Sequence, residues 1–199
     1  MPTSTNTEKR VVFGLKNFHY AILDESTSSY GSPKHVTGSV KLAVNAQGNN
    51  WKFFADDDNY YEEDDNQGYE GDLELANCPD EMLIDLCGYV YDANGVLVED
   101  ADAKYVKFAL LCENQSNLSP IRHAFYECKF GRKNIEANTK SDNVNPDTQT
   151  IPISIQPHEI TWGTGTKKIV HTKVPNDTDH ATQYNGWYTN VYIPTMPSL

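Results

Sequence analysis

The sequence predicts a mainly β protein, an antiparallel β-sandwich or barrel with one short helix on its flank. Three observations carry this. Apolar and polar residues alternate over roughly seven or eight short segments. Gly, Pro, Asn, Asp and Ser gather between those segments, where the chain must turn. Only Cys78–Gly88 carries the end signals of a helix. A length of 199 residues suits one domain spanning 1–199. Within it we expect an N-terminal arm at 1–10, a protruding loop at about 46–70 and a C-terminal extension at about 157–199.

The first ten residues are polar, as a flexible arm would be. Phe18, Tyr20 and Ile22 then alternate with His19, Ala21 and Leu23, a strand with both faces partly covered. A Ser-, Gly- and Pro-rich loop follows at Asp24–Pro33. The next strand lies near Val36–Asn45, with Val40, Leu42 and Val44 on one face. Leu73 and Leu75 mark a strand at Gly71–Ala76. In Cys78–Gly88, Pro79 fits the first helical position, Asp80 and Glu81 suit the positive end of the dipole, and Gly88 can end the helix.

Asn94-Gly95 between Tyr89–Asp92 and Val96–Glu99 is a hairpin signal. Further strands are expected at Lys104–Cys112, at His123–Phe130 (with Ala124, Tyr126, Cys128 and Phe130 in phase) and at Thr150–Gln156. Pro152 lacks an N–H and argues for an edge position there. Asn134–Asp147 is a polar loop. Beyond Pro157 regularity fades, GTGTKK suggests a turn, and Tyr184, Trp187, Tyr188, Val191 and Tyr192 recur at helix-like spacing across Asn185-Gly186.

Charge is strongly segregated. Phe53 to Ala103 holds 17 acidic residues and no Lys or Arg, leaving +5 for the remainder of a chain that totals −12. Such a segment repels nucleic acid, whose binding needs basic residues to displace counterions. Within it Asp56, Asp57, Asp58, Glu62, Glu63, Asp64 and Asp65 mix with Phe53, Phe54, Tyr60, Tyr61 and Tyr69. Crowded carboxylates oppose compaction, yet a disordered segment would be poorer in aromatics. A loop or hairpin that completes its burial against another surface reconciles the two.

Catalytic and cofactor constellations do not emerge. The carboxylates crowd together without a His or basic partner, whereas an acid–base pair needs two different environments facing a cleft. There is no GxSxG, and His158-Glu159 lacks the second His of a zinc protease motif. DDDNYYEEDD places Tyr60 and Tyr61 where an EF-hand needs a ligand and a Gly. Cys78, Cys87, Cys112 and Cys128 form no CxxC pair and suit buried free thiols. We therefore expect no enzyme, no cofactor and no metal. No apolar run has the length of a membrane span.

GLKNFHYAIL, SSYGSPKHVTGSVKL, GYEGDLEL followed by PDE, DANGVLVEDADAKYVKFALL and YNGWYTNVYIP, in that order, resemble the major tail proteins of long-tailed phages and prophages of Gram-positive bacteria. The resemblance covers roughly residues 14–194. It implies a tail-tube fold in hexameric rings that stack around a channel. The implied partners are copies of itself and the tape-measure, tail-terminator and distal tail proteins. Double-stranded DNA would pass without specific binding, in a virion tail assembled in the host cytoplasm.

On that reading Phe53, Phe54, Asp56, Asp57, Asp58, Tyr60, Tyr61, Glu62, Glu63 and Tyr69 make inter-ring contacts, with Arg132 and Lys133 as possible counter-charges. Asp72 and Glu74, alternating with core residues, are lumen candidates. The rival expectation is a monomeric β-sandwich module that binds calcium through the acidic loop or sugar through Trp51, Trp162 or Trp187.

Overall fold

The structure, a computed structural model, describes residues 11–55, 57–135 and 147–195. The expected arm at 1–10, Asp56 and most of the loop at 134–147 lie outside the described residues. In chain order the elements are β1 (Val12–Asp24), β2 (Ser29–Tyr30), β3 (Lys34–Val36), β4 (Ser39–Gln47), β5 (Asn50–Ala55), β6 (Asp58–Asp64), β7 (Gly68–Leu75), α1 (Asp80–Cys87), β8 (Val90–Tyr91), β9 (Leu97–Val98), β10 (Phe108–Ser116), β11 (Ile121–Phe130), β12 (Gln149–Ile155), β13 (His158–Trp162), β14 (Gly165–Ile169), β15 (His171–Pro175) and α2 (Ala181–Gly186). Strands take 54% of the described residues and helices 8%, so the protein is mainly β as the alternation predicts.

The main sheet is antiparallel and runs β2-β1-β10-β11-β12-β7-β4, with β3 beside β1 and β15 beside β11. Gly38, at φ +84°, separates β3 from β4. A left-handed turn of this kind suits Gly because it has no Cβ. It lets one stretch of chain pair with both ends of the sheet, β3 with β1 (Phe18↔Val36) and β4 with β7 (Leu42↔Leu73). The sheet therefore curls on itself. It is joined at β3 and open further along, between β4 and the first half of β1.

Two apolar clusters lie on its two faces. The inner one gathers Phe18, Tyr20, Leu73, Leu75, Phe108, Leu110, Cys128, Phe130 and Ile151 with Met82, Leu83 and Leu86 of α1. The outer one gathers Ala21, Ala109, Leu111, Ala124 and Tyr126 under Tyr184, Trp187 and Val191 of the C-terminal segment. Pro79 sits one residue earlier than expected, as the extended N-cap of α1, and Gly88 ends the helix at φ +71°. Tyr20 and Lys34 both donate to Asp85, at 2.8 and 2.6 Å, which ties α1 to β1 and β3.

Four expectations are corrected. Ala124 and Tyr126 face the outer cluster, whereas Phe125, Cys128 and Phe130 face the inner one. A bulge causes the switch: Leu110 pairs with Phe125 but Phe108 with Cys128, and Glu127 takes φ +46°. Pro152 is not on an edge, because β12 lies between β11 and β7. Its carbonyl accepts from Gly131 N–H at 2.7 Å, so its ring nitrogen points to the same side, just where β11 has ended. The strand expected at Lys104–Cys112 begins only at Phe108. The region after Pro157 is regular, forming β13, β14 and β15.

Candidate assembly interface

β5 and β6 form a separate two-stranded hairpin, built out from the ends of β4 and β7. Opposite residues share a face of a hairpin. Trp51 pairs with Glu63 and Phe53 with Tyr61, and the bulged Tyr60 ring meets Phe53 edge-on at 6.4 Å. These aromatics make one face. It is almost bare, with Trp51 71%, Phe53 61%, Tyr60 76% and Tyr61 54% exposed. Phe54, opposite Asn59 near the turn, is exposed as well.

The other face is a polar mesh. Asn50 donates to Glu62 and Asp64 at 2.7 and 2.6 Å, Asn59 donates to Glu62 at 3.0 Å, and Lys52 lies 3.4 Å from Glu62. Hydrogen bonds from Asn50, Lys52 and Asn59 hold the Glu62 carboxyl below its ordinary range. Tyr61 donates to Glu63 at 2.8 Å, which raises the phenol. Asp57 takes φ +62° in the turn before Asp58, a conformation that Asp tolerates better than most residues. This mesh is how a strip with a single lysine keeps its carboxylates in a strand pair.

The structure thus brings Phe53, Phe54, Asp57, Asp58, Tyr60, Tyr61, Glu62 and Glu63 together on one protrusion. Asp56 lies outside the described residues. Tyr69 does not join them; it belongs to β7 and packs edge-on against Phe125 at 6.3 Å. Asp72 and Glu74 share the face of β7 opposite Leu73 and Leu75; Glu74 accepts from Thr148 at 2.6 Å and is half-buried, while Asp72 is exposed. Arg132 is already paired with Glu99 at 3.0 Å, and Lys133 donates to Gln149 at 3.3 Å.

A feature that sequence reasoning missed lies where the sheet stays open. A cavity of about 440 Å³ is lined by Leu15, Val40, Leu42, Val44, Tyr69 and Phe125, with Lys41, Cys112, Asn114, His123 and His171 completing its wall. His123 and His171 stack and share a hydrogen bond at 2.9 Å. Burial, with the Lys173 charge nearby, lowers both; His171, which also faces His123, falls to about 4. Both imidazoles are therefore neutral at pH 7. The site is assembled from residues of six strands, so no local pattern announces it.

Among the described residues no group of three or more His, Cys, Asp or Glu is placed to hold a metal ion. Of the tryptophans, Trp187 is a buried anchor donating to His123 O at 3.2 Å, Trp162 lies under Lys167, and Trp51 alone is bare. No helix among the described residues is long and apolar enough to cross a membrane. No protein-family model matches the chain, and comparison with curated proteins finds no significant relative.

Proposed function

We propose that this chain is a structural, non-catalytic subunit of a phage tail tube, assembling as hexameric rings that stack into a conduit for DNA. The observation that carries the reading is the β5–β6 hairpin, whose aromatic face is left exposed by the described residues. Each large aromatic buries about 150–250 Å² when covered, so four of them supply much of the roughly 800 Å² per partner of a stable interface. Leaving such a face bare would make a monomer prone to non-specific association.

Other features support the same reading. Among the described residues β4 pairs only with β7, and β1 from Val12 to Lys16 pairs only with β10, so both present open edges. Such edges invite pairing with a further chain. The acidic face carrying Glu70, Asp72 and Glu74 suits a wall that phosphates pass without sticking. The resemblance from GLKNFHYAIL to YNGWYTNVYIP supplies the hexamer, the tape-measure, terminator and distal tail partners and the place in a virion. The bare Trp51 is the one feature that favours the rival sugar-binding module, and it is equally part of the aromatic strip.

The test is the assembly state of the purified chain by sizing and negative-stain microscopy. Rings or tubes are expected. Tyr60→Ala together with Tyr61→Ala should leave a folded monomer and cut tube growth. A wild-type chain that stays single at high concentration, or normal tubes from the double variant, would overturn the reading.

A further inference from the structure

The open seam and the protruding hairpin each have an apolar centre, and basic residues border the first where carboxylates border the second. The cavity floor is apolar, from Leu15, Leu42, Val44, Tyr69 and Phe125. Its rim is cationic. Lys173 sits opposite His123 on β15, on the face of that strand pair that carries the cavity, and Lys41 borders the cavity at the edge of β4, on the side it shares with Glu74. Among the described residues neither lysine makes an ion pair within 4 Å. The hairpin has the opposite arrangement, a bare Phe53–Tyr60 ring pair bordered by carboxylates at Asp58 and Glu63.

Size agrees. A cavity of about 440 Å³ falls within the roughly 300–1,000 Å³ of pockets that enclose a compact organic group, which leaves room for two rings. The hairpin roots at Gln47 and Gly68, beside Val44 and Tyr69 of its own cavity wall. With six- and seven-residue strands rising about 3.3 Å per residue, its tip lies on the order of 20 Å from that root. Donor and acceptor are therefore different surfaces of one chain. A contact between them is head-to-tail, so each copy gives one hairpin and receives one, and the contact propagates.

We propose that the seam cavity is the receptor for the β5–β6 hairpin of a second copy of this chain, with Phe53 and Tyr60 entering between β1 and β4 and the hairpin carboxylates meeting Lys41 and Lys173. This rests on the tube reading above and adds to it the identity of the receiving surface. The cavity wall supplies a dry anchor site, which sets how long the contact lasts. The lysine rim sets approach and register, since rim charges act mainly on association rate.

The test places a benzophenone amino acid at Phe53 in the full chain, irradiates it under assembling conditions and maps the adduct by mass spectrometry. Adducts on Val40–Val44 or Leu15 of another copy are expected. Tubes whose adducts map elsewhere would overturn this assignment and leave the tube reading standing; a chain that never assembles would overturn both. Two variants give an independent reading. Val44→Trp fills the cavity, and Lys41→Glu with Lys173→Glu reverses the rim without touching the core. Each should slow assembly at least about tenfold, the lysine variant with weakened salt dependence. Unchanged assembly in the lysine variant, which keeps the test valid if Val44→Trp misfolds, would count decisively against it.

Discussion

Arg122 donates through Nε to the Glu113 carboxylate at 2.8 Å, and Glu113 is only 2% exposed. Lys16 approaches the same carboxylate at 3.0 Å and Tyr184 donates to it at 3.1 Å. Burial alone would raise this carboxyl, but the three donors outweigh it and hold it below its ordinary range. The Arg122 guanidinium also lies over the rings of Tyr184 and Tyr188, at 3.8 and 4.5 Å from their centres, and donates to Tyr184 O. One cation thus fastens the C-terminal segment to the outer face of the sheet.

Removing one partner of a buried pair leaves the other charge stranded, at about 3–5 kcal/mol. Lys16 remains in Arg122→Ala, so the lower end of that range is expected, as a fall in urea midpoint. Arg122→Lys should recover little, because a lysine can neither stack on the tyrosines nor present the planar fork.

Acid should destabilise the monomer through the histidines at the seam. His123 and His171 are lowered in the fold, His171 to about 4 from the usual 6.5. The unfolded chain then binds more protons between those values, so stability is full above about pH 6.5 and is lost as pH falls towards 4. His171→Phe, stacking on Phe125 as His171 does at 4.6 Å, should remove on the order of 2 kcal/mol of that loss. Urea melts at pH 7 and pH 5 check this, and an equal acid penalty in both proteins would refute it.

Gly71 of β7 lies opposite Val44 of β4, close against its backbone. A Cβ there would lie 1.9 Å from Ala43 O and 2.8 Å from the Val44 Cα, both backbone atoms that cannot swing aside. Gly71→Ala should therefore push β4 off β7 and cost about 1–3 kcal/mol or more, in the manner of an overpacked core. The thermal midpoint reads this directly. The same variant should loosen the root of the β5–β6 hairpin, visible as faster amide exchange at Val44–Gln47.

If Asp72 faces the channel, Asp72→Lys with Glu70→Lys should make assembled tubes retain DNA, with a strong dependence on salt. Retention measured at two ionic strengths distinguishes this from a general loss of assembly. No retention at low salt would remove this face from the lumen.

Much of the architecture is legible because one-sided burial imposes a period of two. Ile151, Ile153 and Ile155 alternate in the sequence and all three face the inner cluster. The α1 boundaries are legible from Pro79 and Gly88 for reasons of backbone geometry. Legibility fails where a single residue alters phase, as Glu127 does, since a bulge leaves no compositional mark. It fails at Pro152 because what matters is the neighbour's length: β11 stops before it would need that N–H. β13–β15 are short, with few buried residues, so alternation carries little signal there. The hairpin could be expected as a protrusion from its carboxylates and rings, but the seam that complements it depends on Leu15, Val44, Phe125 and His171 meeting from distant parts of the chain.

All four cysteines are buried and free. Loss of hydration pushes Cys78 and Cys112 up to about 12 and Cys87 to about 11. At neutral pH only about one thiol in 10⁴ to 10⁵ would be ionised, and the ionised sulfur is the form that peroxide, oxygen or an alkylating reagent attacks. The intact subunit should consequently survive long storage in air without reductant, and should take up iodoacetamide only once it is denatured.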